Sequence, residues 1–363
     1  MSRQDHRVLR SKLRLTDLPY SRSWGGVLRL GKTLEVLIFK LAQMLRLYRS
    51  RKTIIGIPSL ATRNYTSLQA VVYNGTQEDV LGFRSRRITH RIFKGVPDVE
   101  MFERVRFALS VSETNSRMVE ASTELRGFVH LQLPWQLPWR PPRQAMLKLH
   151  PRGIETSLGP IQLGDYDIHP CPVFFVTDDV KWILVSDIDD TIKESNIAHT
   201  TSFKAVLHSI FRGHYYTYHA IEGMAHLYRQ LSEKGVLIVY LTSTPYQLAP
   251  FLLKFLKDSG FPTGPVYPRW LGNNRFGHKW RMLHRLLSNI DGQRVFLVGD
   301  SGEQDLQIYR RLCDTEAFGE KVEKILIRKV PGTPDPALID AREAVYSDPQ
   351  SLRSHFQEIL GTS

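Results

Sequence analysis

The sequence is poor in cysteine. Only Cys171 and Cys313 occur among 363 residues, and they lie far apart in the chain. That excludes a disulfide framework and suits a reducing cytosol. No apolar run reaches about 18 residues, so no helix is expected to span a bilayer. The opening stretch MSRQDHRVLRSKLRL has neither an uninterrupted apolar core nor a small-residue cleavage site, so no secretory signal peptide is expected. Internal repeats and low-complexity tracts are missing too. What remains, 42% apolar and 23% charged residues, is an ordinary globular composition in a chain long enough for two domains.

Charge is unevenly placed. The chain carries a net +13, and residues 1–52 hold 13 Lys/Arg against 3 Asp/Glu, so +10 of it sits there and 13 − 10 leaves +3 for the rest. A basic arm on a nearly neutral body commonly meets phosphate groups, on a membrane or a nucleic acid. Within it Leu34, Leu37, Ile38, Leu41, Leu45 and Tyr48 recur at helical spacing, with Glu35, Lys40, Gln43 and Arg46 mostly opposite. Such a helix either docks on anionic lipid or packs on the protein itself or in a dimer. Val36, Phe39 and Leu47 interrupt its polar face and weigh toward packing.

From about residue 60 to 178 the apolar period becomes two. LQAVVYNG, VRFALSVS and GFVHLQLPW alternate apolar and polar residues between turn formers, which predicts a β-sandwich-like domain over 59–178 behind an arm at 1–58. The loop LPWQLPWRPPR sets Trp135 and Trp139 beside Arg140 and Arg143. These residues fit a lipid headgroup layer if exposed, and a proline-stiffened loop if packed inward. After 180 the runs KWILVS, GVLIVYL, RVFLVG and EKILIR alternate with helical patterns, two of them closed by Gly235 and Gly260. That predicts a doubly wound, Rossmann-like parallel sheet over 179–330, followed by a helical tail at 331–363.

In such a sheet, ligands bind where strands end. Asp187 and Asp189 follow the first run, Thr242 the second and Asp300 the third, with Asp305 one turn on; Lys279 is expected to open the helix before that third run. Hard carboxylates suit a divalent cation, and a hydroxyl and an ammonium suit phosphate. A single DxD at a strand end is commonly just a turn that caps a helix. Several such groups in order, each after a different strand, are not.

DIDDT, the threonine after IVYL, the lysine of HK and VGDSGEQD resemble the four motifs of haloacid dehalogenase-like phosphatases. SDIDDTIK, TSTPYQLAPFLLKFL, GHKWRML and GDSGEQDLQIY resemble, more narrowly, the phosphatidate phosphatase family typified by the yeast actin-patch-associated enzyme. The likeness is close over about residues 180–330, looser over the β segment, and does not extend to the arm. That family usually has Ser where Thr242 stands and Trp where Tyr246 stands, and GPVYPRWLG matches its counterpart only loosely. These departures fall on recognition of the organic part of a substrate, not on the phosphate.

The resemblance implies the following roles. Asp187 would attack phosphorus, and Asp189 would protonate the leaving oxygen and then activate water. Mg²⁺ would be held by Asp187, Asp300 and the Asp189 carbonyl, with Asp305 orienting Lys279 or a metal-bound water. Thr242 and Lys279 would hold phosphate oxygens, and Thr191 would brace the nucleophile loop. Asp190 is expected to be structural. The expected substrate is phosphatidate or a related anionic phospholipid, met by a cytoplasmic protein at a peripheral membrane surface. No nucleic acid is expected, and no protein partner is deducible. The rival readings are a phosphatase of soluble or protein phosphoesters and a non-catalytic lipid- or nucleic-acid-binding protein on the same fold. His199, His208, His214, His219 and His226 lack zinc-site spacing and suit a small cap or ordinary surface and core positions better than a metal.

Overall fold

The computed structural model describes residues 52–62, 66–74, 80, 104–111, 119–122, 128–133, 144–156, 159–161, 166–169, 171–194, 219–269 and 275–361. Residues 1–51, with the stretch expected to form the amphipathic helix, Trp135 and Trp139, and His199, His208 and His214 lie outside these residues.

Ten strands occupy the first part: β1 (Lys52–Ile57), β2 (Ser59–Ala61), β3 (Thr66–Asn74), β4 (Arg104–Val111), β5 (Val119–Ser122), β6 (Phe128–Leu133), β7 (Gln144–Thr156), β8 (Gly159–Ile161), β9 (Tyr166–His169) and β10 (Cys171–Phe175). They pair in the order β5-β4-β7-β10-β2-β3-β1-β9, with β6 on β3 and β8 on β7. Most pairs are antiparallel; β1 with β9 and β10 with β2 are parallel. The three segments read as alternating became β3, β4 and β6. Strand structure also begins earlier than expected, with β1 inside the last residues assigned to the arm.

The second part is a six-stranded parallel sheet. Its strands are β11 (Trp182–Ser186), β14 (Leu237–Pro245), β15 (Val266–Arg269), β16 (Arg294–Asp300), β17 (Val322–Arg328) and β18 (Glu343–Tyr346), in the order β15-β14-β11-β16-β17-β18. A short hairpin of β12 (Lys193–Glu194) and β13 (His219–Ala220) stands apart from it. The helices are α1 (Met224–Glu233), α2 (Ala249–Asp258), α3 (Arg275–Ser288), α4 (Asp305–Cys313), α5 (Glu316–Gly319), α6 (Pro349–Arg353) and α7 (Gln357–Leu360).

Alternating side chains of the buried strands feed two cores, one on each face. Leu184, Ile238, Tyr240, Phe296 and Val298 join α1 and α2. Ile183, Val185, Val239, Leu241, Val295 and Leu297 join α3 and α4. Gly235 and Gly260 close α1 and α2 as expected, and both do so in the left-handed conformation, at φ 88° and 74°.

Two expectations change. Residues 331–363 contain short helices, but also β18, which adds a sixth strand to the sheet; EAVY is too short a run to show a period. Lys279 does not open its helix. Arg275 does, so Lys279 is the fifth residue of α3, and the helix runs through Gly277 despite that residue's low propensity.

The ten-stranded part shares the first core. Ile55, Ile57, Val71, Tyr73, Val80 and Phe128 pack within it. The Pro58 carbonyl accepts the N–H of Val266 at 2.8 Å. The Gln69 amide donates to the Val266 carbonyl at 3.1 Å. The edge strand β15 is thus hydrogen-bonded from outside its own sheet.

Candidate active site

The strands all run the same way, but the order in which the chain adds them reverses between β11 and its neighbour β16. From β11 the order runs outward through β14 and β15, and from β16 through β17 and β18. A crevice is expected at the carboxyl ends of these two strands, and there Asp187 and Asp300 stand. Asp187 follows β11 and donates its N–H to the Val298 carbonyl at 2.9 Å. The chain then turns tightly, with the N–H groups of Ile192 and Lys193 both donating to the Ile188 carbonyl. Thr191, buried in this turn, donates its hydroxyl to Oδ2 of Asp187 at 3.3 Å.

Asp187, Asp300 and Asp305 are all buried, and one carboxylate oxygen from each falls within 4.8 Å of the others. Lys279, 1% exposed, reaches them from α3. Its Nζ lies 2.7 Å from Oδ1 of Asp187, 2.5 Å from Oδ1 of Asp305 and 3.1 Å from Oε2 of Glu303. Asp305 opens α4 and can come this close only because Gly299 has no side chain. A Cβ there would stand 2.5 Å from Oδ2 of Asp305.

Four carboxylates thus face one ammonium. Burial pushes Asp187 well up, and the Asp305, Glu303 and Asp300 charges push further, against the pull of Lys279. Burial and then Asp305 carry Asp300 up to about 8. Asp305 rises through burial and Glu303, again against Lys279. Burial alone would lower Lys279, but Asp187, Asp305 and Glu303 outweigh it and keep the ammonium charged. Oδ1 of Asp300 accepts the N–H groups of Gly302 at 2.6 Å and Glu303 at 2.9 Å. Its Oδ2 is buried without a hydrogen-bond partner. Hard oxygens in excess of positive charge, one of them orphaned, fit a divalent cation.

The carboxylate of Asp189 turns away from this cluster. Oδ1 pairs with Lys193 at 2.5 Å, and Oδ2 accepts the hydroxyls of Thr242 at 3.0 Å and Thr244 at 2.9 Å. Burial favours its neutral form, yet the Lys193 charge and the Lys193, Thr244 and Thr242 bonds together hold it down at about 2. Its side chain is 23% exposed, against 1% for Asp187, so it is the more open of the two.

All seven residues picked from the sequence therefore gather at one end of the sheet: Asp187, Asp189, Thr191, Thr242, Lys279, Asp300 and Asp305. Three partners were missed, Lys193, Thr244 and Glu303. Each lies inside a quoted motif, but spacing alone gave it no role. Tyr246, the departure expected to bear on substrate, is fully buried and stacks on Phe128 at 4.6 Å between ring centroids.

Residues 182–329 match the family described as the phosphatidate phosphatase APP1 catalytic domain. Phosphatidate phosphatase APP1 of Saccharomyces cerevisiae is 29% identical over 135 residues, 35% of this chain and 22% of that protein. An uncharacterised protein of Schizosaccharomyces pombe is 27% identical over 161 residues, 40% of this chain and 25% of its own length. The chain thus spans about a quarter of the curated relatives it matches. Among solved structures, phosphoserine phosphatase from T. onnurineus aligns at 13% identity and a TM-score of 0.32, over 52% of this chain and all of that one. The likeness to the phosphatidate phosphatase APP1 catalytic domain thus lies in residues 182–329.

Proposed function

We propose that the protein is a Mg²⁺-dependent phosphatidate phosphatase that releases diacylglycerol and phosphate through an aspartyl-phosphate on Asp187. The observation that carries the reading is the buried group of Asp187, Asp300 and Asp305, with the partly exposed Glu303, around Lys279, within a stretch that matches a phosphatase family. In this reading Asp187 forms a bond to phosphorus as the leaving oxygen departs. Asp189, ionised against Lys193 here, takes up a proton when substrate binds, gives it to that oxygen, then takes one from the water that splits the aspartyl-phosphate. Lys279 and Thr242 hold non-bridging oxygens, and Thr191 steadies Asp187. Asp187 and Asp300, with the Asp189 carbonyl, would hold the cation, and Asp305 would orient Lys279 or a bound water. Bound there, Mg²⁺ would offset the charge of carboxylate and phosphate, so that one anion can approach another.

The domain reading goes with it, its bounds shifted by two strands: an arm up to residue 51, a β-sandwich-like module from β1 to residue 178, and a catalytic domain from residue 179 whose sheet takes in β18 of the tail. Among the described residues no helix is long and apolar enough to cross a membrane. We place the protein in the cytoplasm, peripherally attached to anionic membrane through the arm. The charge of that arm supports this, because each Lys or Arg near such a surface contributes on the order of 1 kcal/mol.

The test measures phosphate release from phosphatidate in detergent micelles and vesicles, and from soluble esters, with and without Mg²⁺. Hydrolysis of phosphatidate that vanishes with a chelator and in Asp187→Asn is expected. Turnover of soluble esters alone would move the substrate to the second class, and Asp187-independent turnover would overturn the mechanism. Removal of residues 1–52 should lower activity on vesicles and spare a short-chain soluble ester. Unchanged sedimentation with vesicles after truncation would refute the anchor.

A further inference from the structure

Between the two aspartates and Thr191 stands Asp190, at φ 54°, the one non-glycine residue with positive φ among those described. Left-handed backbone is unfavourable for a residue with a Cβ, although aspartate tolerates it better than most. It persists where the surroundings hold it, and such positions cluster at functional sites. Two backbone bonds hold this one. The Asp190 N–H donates to the Lys193 carbonyl at 2.9 Å. Its own carbonyl accepts Nη1 of Arg328 at 2.9 Å, across 138 residues of chain. The first bond belongs to the turn itself, and the second reaches it from the end of β17.

Arg328 connects the two loops that carry the acidic residues. It is the register partner of Asp300 where β16 and β17 run side by side. Its main-chain carbonyl accepts the Ser301 N–H at 3.0 Å, so its backbone is knit to the loop after β16. Its guanidinium is joined to the loop after β11. The buried Nε of the same side chain has no hydrogen-bond partner, which folded proteins seldom leave without a reason.

We propose that Arg328 is a positioning residue: by holding the Asp190 carbonyl it fixes the left-handed turn that sets Asp187 and Asp189 against Asp300. The kinetic consequence rests on the phosphatase reading above; the structural one does not. A charge alone would not serve, because the bond to a carbonyl is directional and Arg328 presents a planar fork.

The test is a double-mutant cycle in the full chain. Glycine adopts positive φ freely, so Asp190→Gly should make the clamp dispensable. Arg328→Met is expected to lower kcat about tenfold or more with KM changed less than about threefold, as misplacement of reacting groups does. In the Asp190→Gly background the same substitution should cost less than about threefold. Arg328→Lys keeps the charge without the planar fork and should lose kcat much as Arg328→Met does. Hydrogen exchange of the peptide 187–193 gives a readout that needs no turnover. It should quicken in Arg328→Met and not in Arg328→Met/Asp190→Gly relative to Asp190→Gly. Should Arg328→Met fail to fold, Arg328→Gln is read in the same way. Unchanged kcat and exchange, or a loss undiminished by Asp190→Gly, would overturn the clamp. Failure of the phosphatase reading appears separately, as wild-type protein without Asp187-dependent hydrolysis, and exchange still decides the clamp.

Discussion

Asp187 and Asp189 are separated by one residue and occupy opposite surroundings. Asp187 is sealed among other carboxylates, with one ammonium to share, and its proton affinity is driven up. Asp189 has an ammonium of its own and two hydroxyls, and its proton affinity is driven down. The turn after β11 makes this possible. One carboxylate faces β16 and α4, and the other faces Lys193 and the end of β14. Two identical side chains thereby acquire different chemistry from partners on different strands.

The sharpest way to break this comparison is to neutralise each aspartate in turn. Asp187→Asn should reduce turnover by at least about 10³-fold on every substrate, because no bond to phosphorus can form. Asp189→Asn should cost about 10²–10⁴-fold on an alkyl phosphate and much less on an aryl phosphate whose leaving group needs no proton. Equal dependence on the leaving group in both variants would erase the difference in role. Gly299→Ala is the next largest. It pushes on Asp305, on the Asp187 side alone, and should cost about 1–3 kcal/mol in urea denaturation, with kcat falling alongside. Unchanged stability and activity would mean that the approach of Asp305 to Gly299 does not matter.

The smallest effect contrasts Lys279 with its neighbour His278. Both are buried, but His278 lacks an acidic partner. Burial, then the Arg281, Arg269 and Lys279 charges, bring it to about 3 against a bond to the Tyr267 carbonyl. The unfolded chain takes up this proton near 6.5 and the folded protein only near 3. Stability should therefore be complete above that range and be lost as pH falls through it, by up to about 1.4 kcal/mol per pH unit. His278→Gln, which keeps an N–H donor, should flatten the slope between pH 6.5 and pH 5 in urea titrations. An identical slope in both proteins would assign the acid sensitivity elsewhere.

The strand ends were legible because apolar runs marked the strands, and ligands gather where parallel strands finish. That sufficed to bring together Asp187, Asp189, Thr242, Asp300 and Asp305. Lys193, Thr244 and Glu303 were not legible as partners. Spacing places a residue on a turn but does not say which neighbour its side chain meets. Tyr246 was misread for a related reason: the ring that covers it, Phe128, belongs to β6 and lies far back in the sequence. The φ of Asp190 left no trace in the sequence beyond aspartate's tolerance for it.

The bonds from Pro58 and Gln69 to Val266 bear on self-association. An outer strand with unpaired amides is a template on which further copies can stack. Here β15 meets a carbonyl and a side-chain amide from the ten-stranded part, so that template is partly masked. A fragment trimmed to residues 182–329, the stretch on which the family likeness rests, would lose the mask together with the outermost strand β18. Such a fragment should come out of expression as aggregates even though every reactive side chain is present, and the β-rich half of the chain serves in this sense as a built-in chaperone for the other.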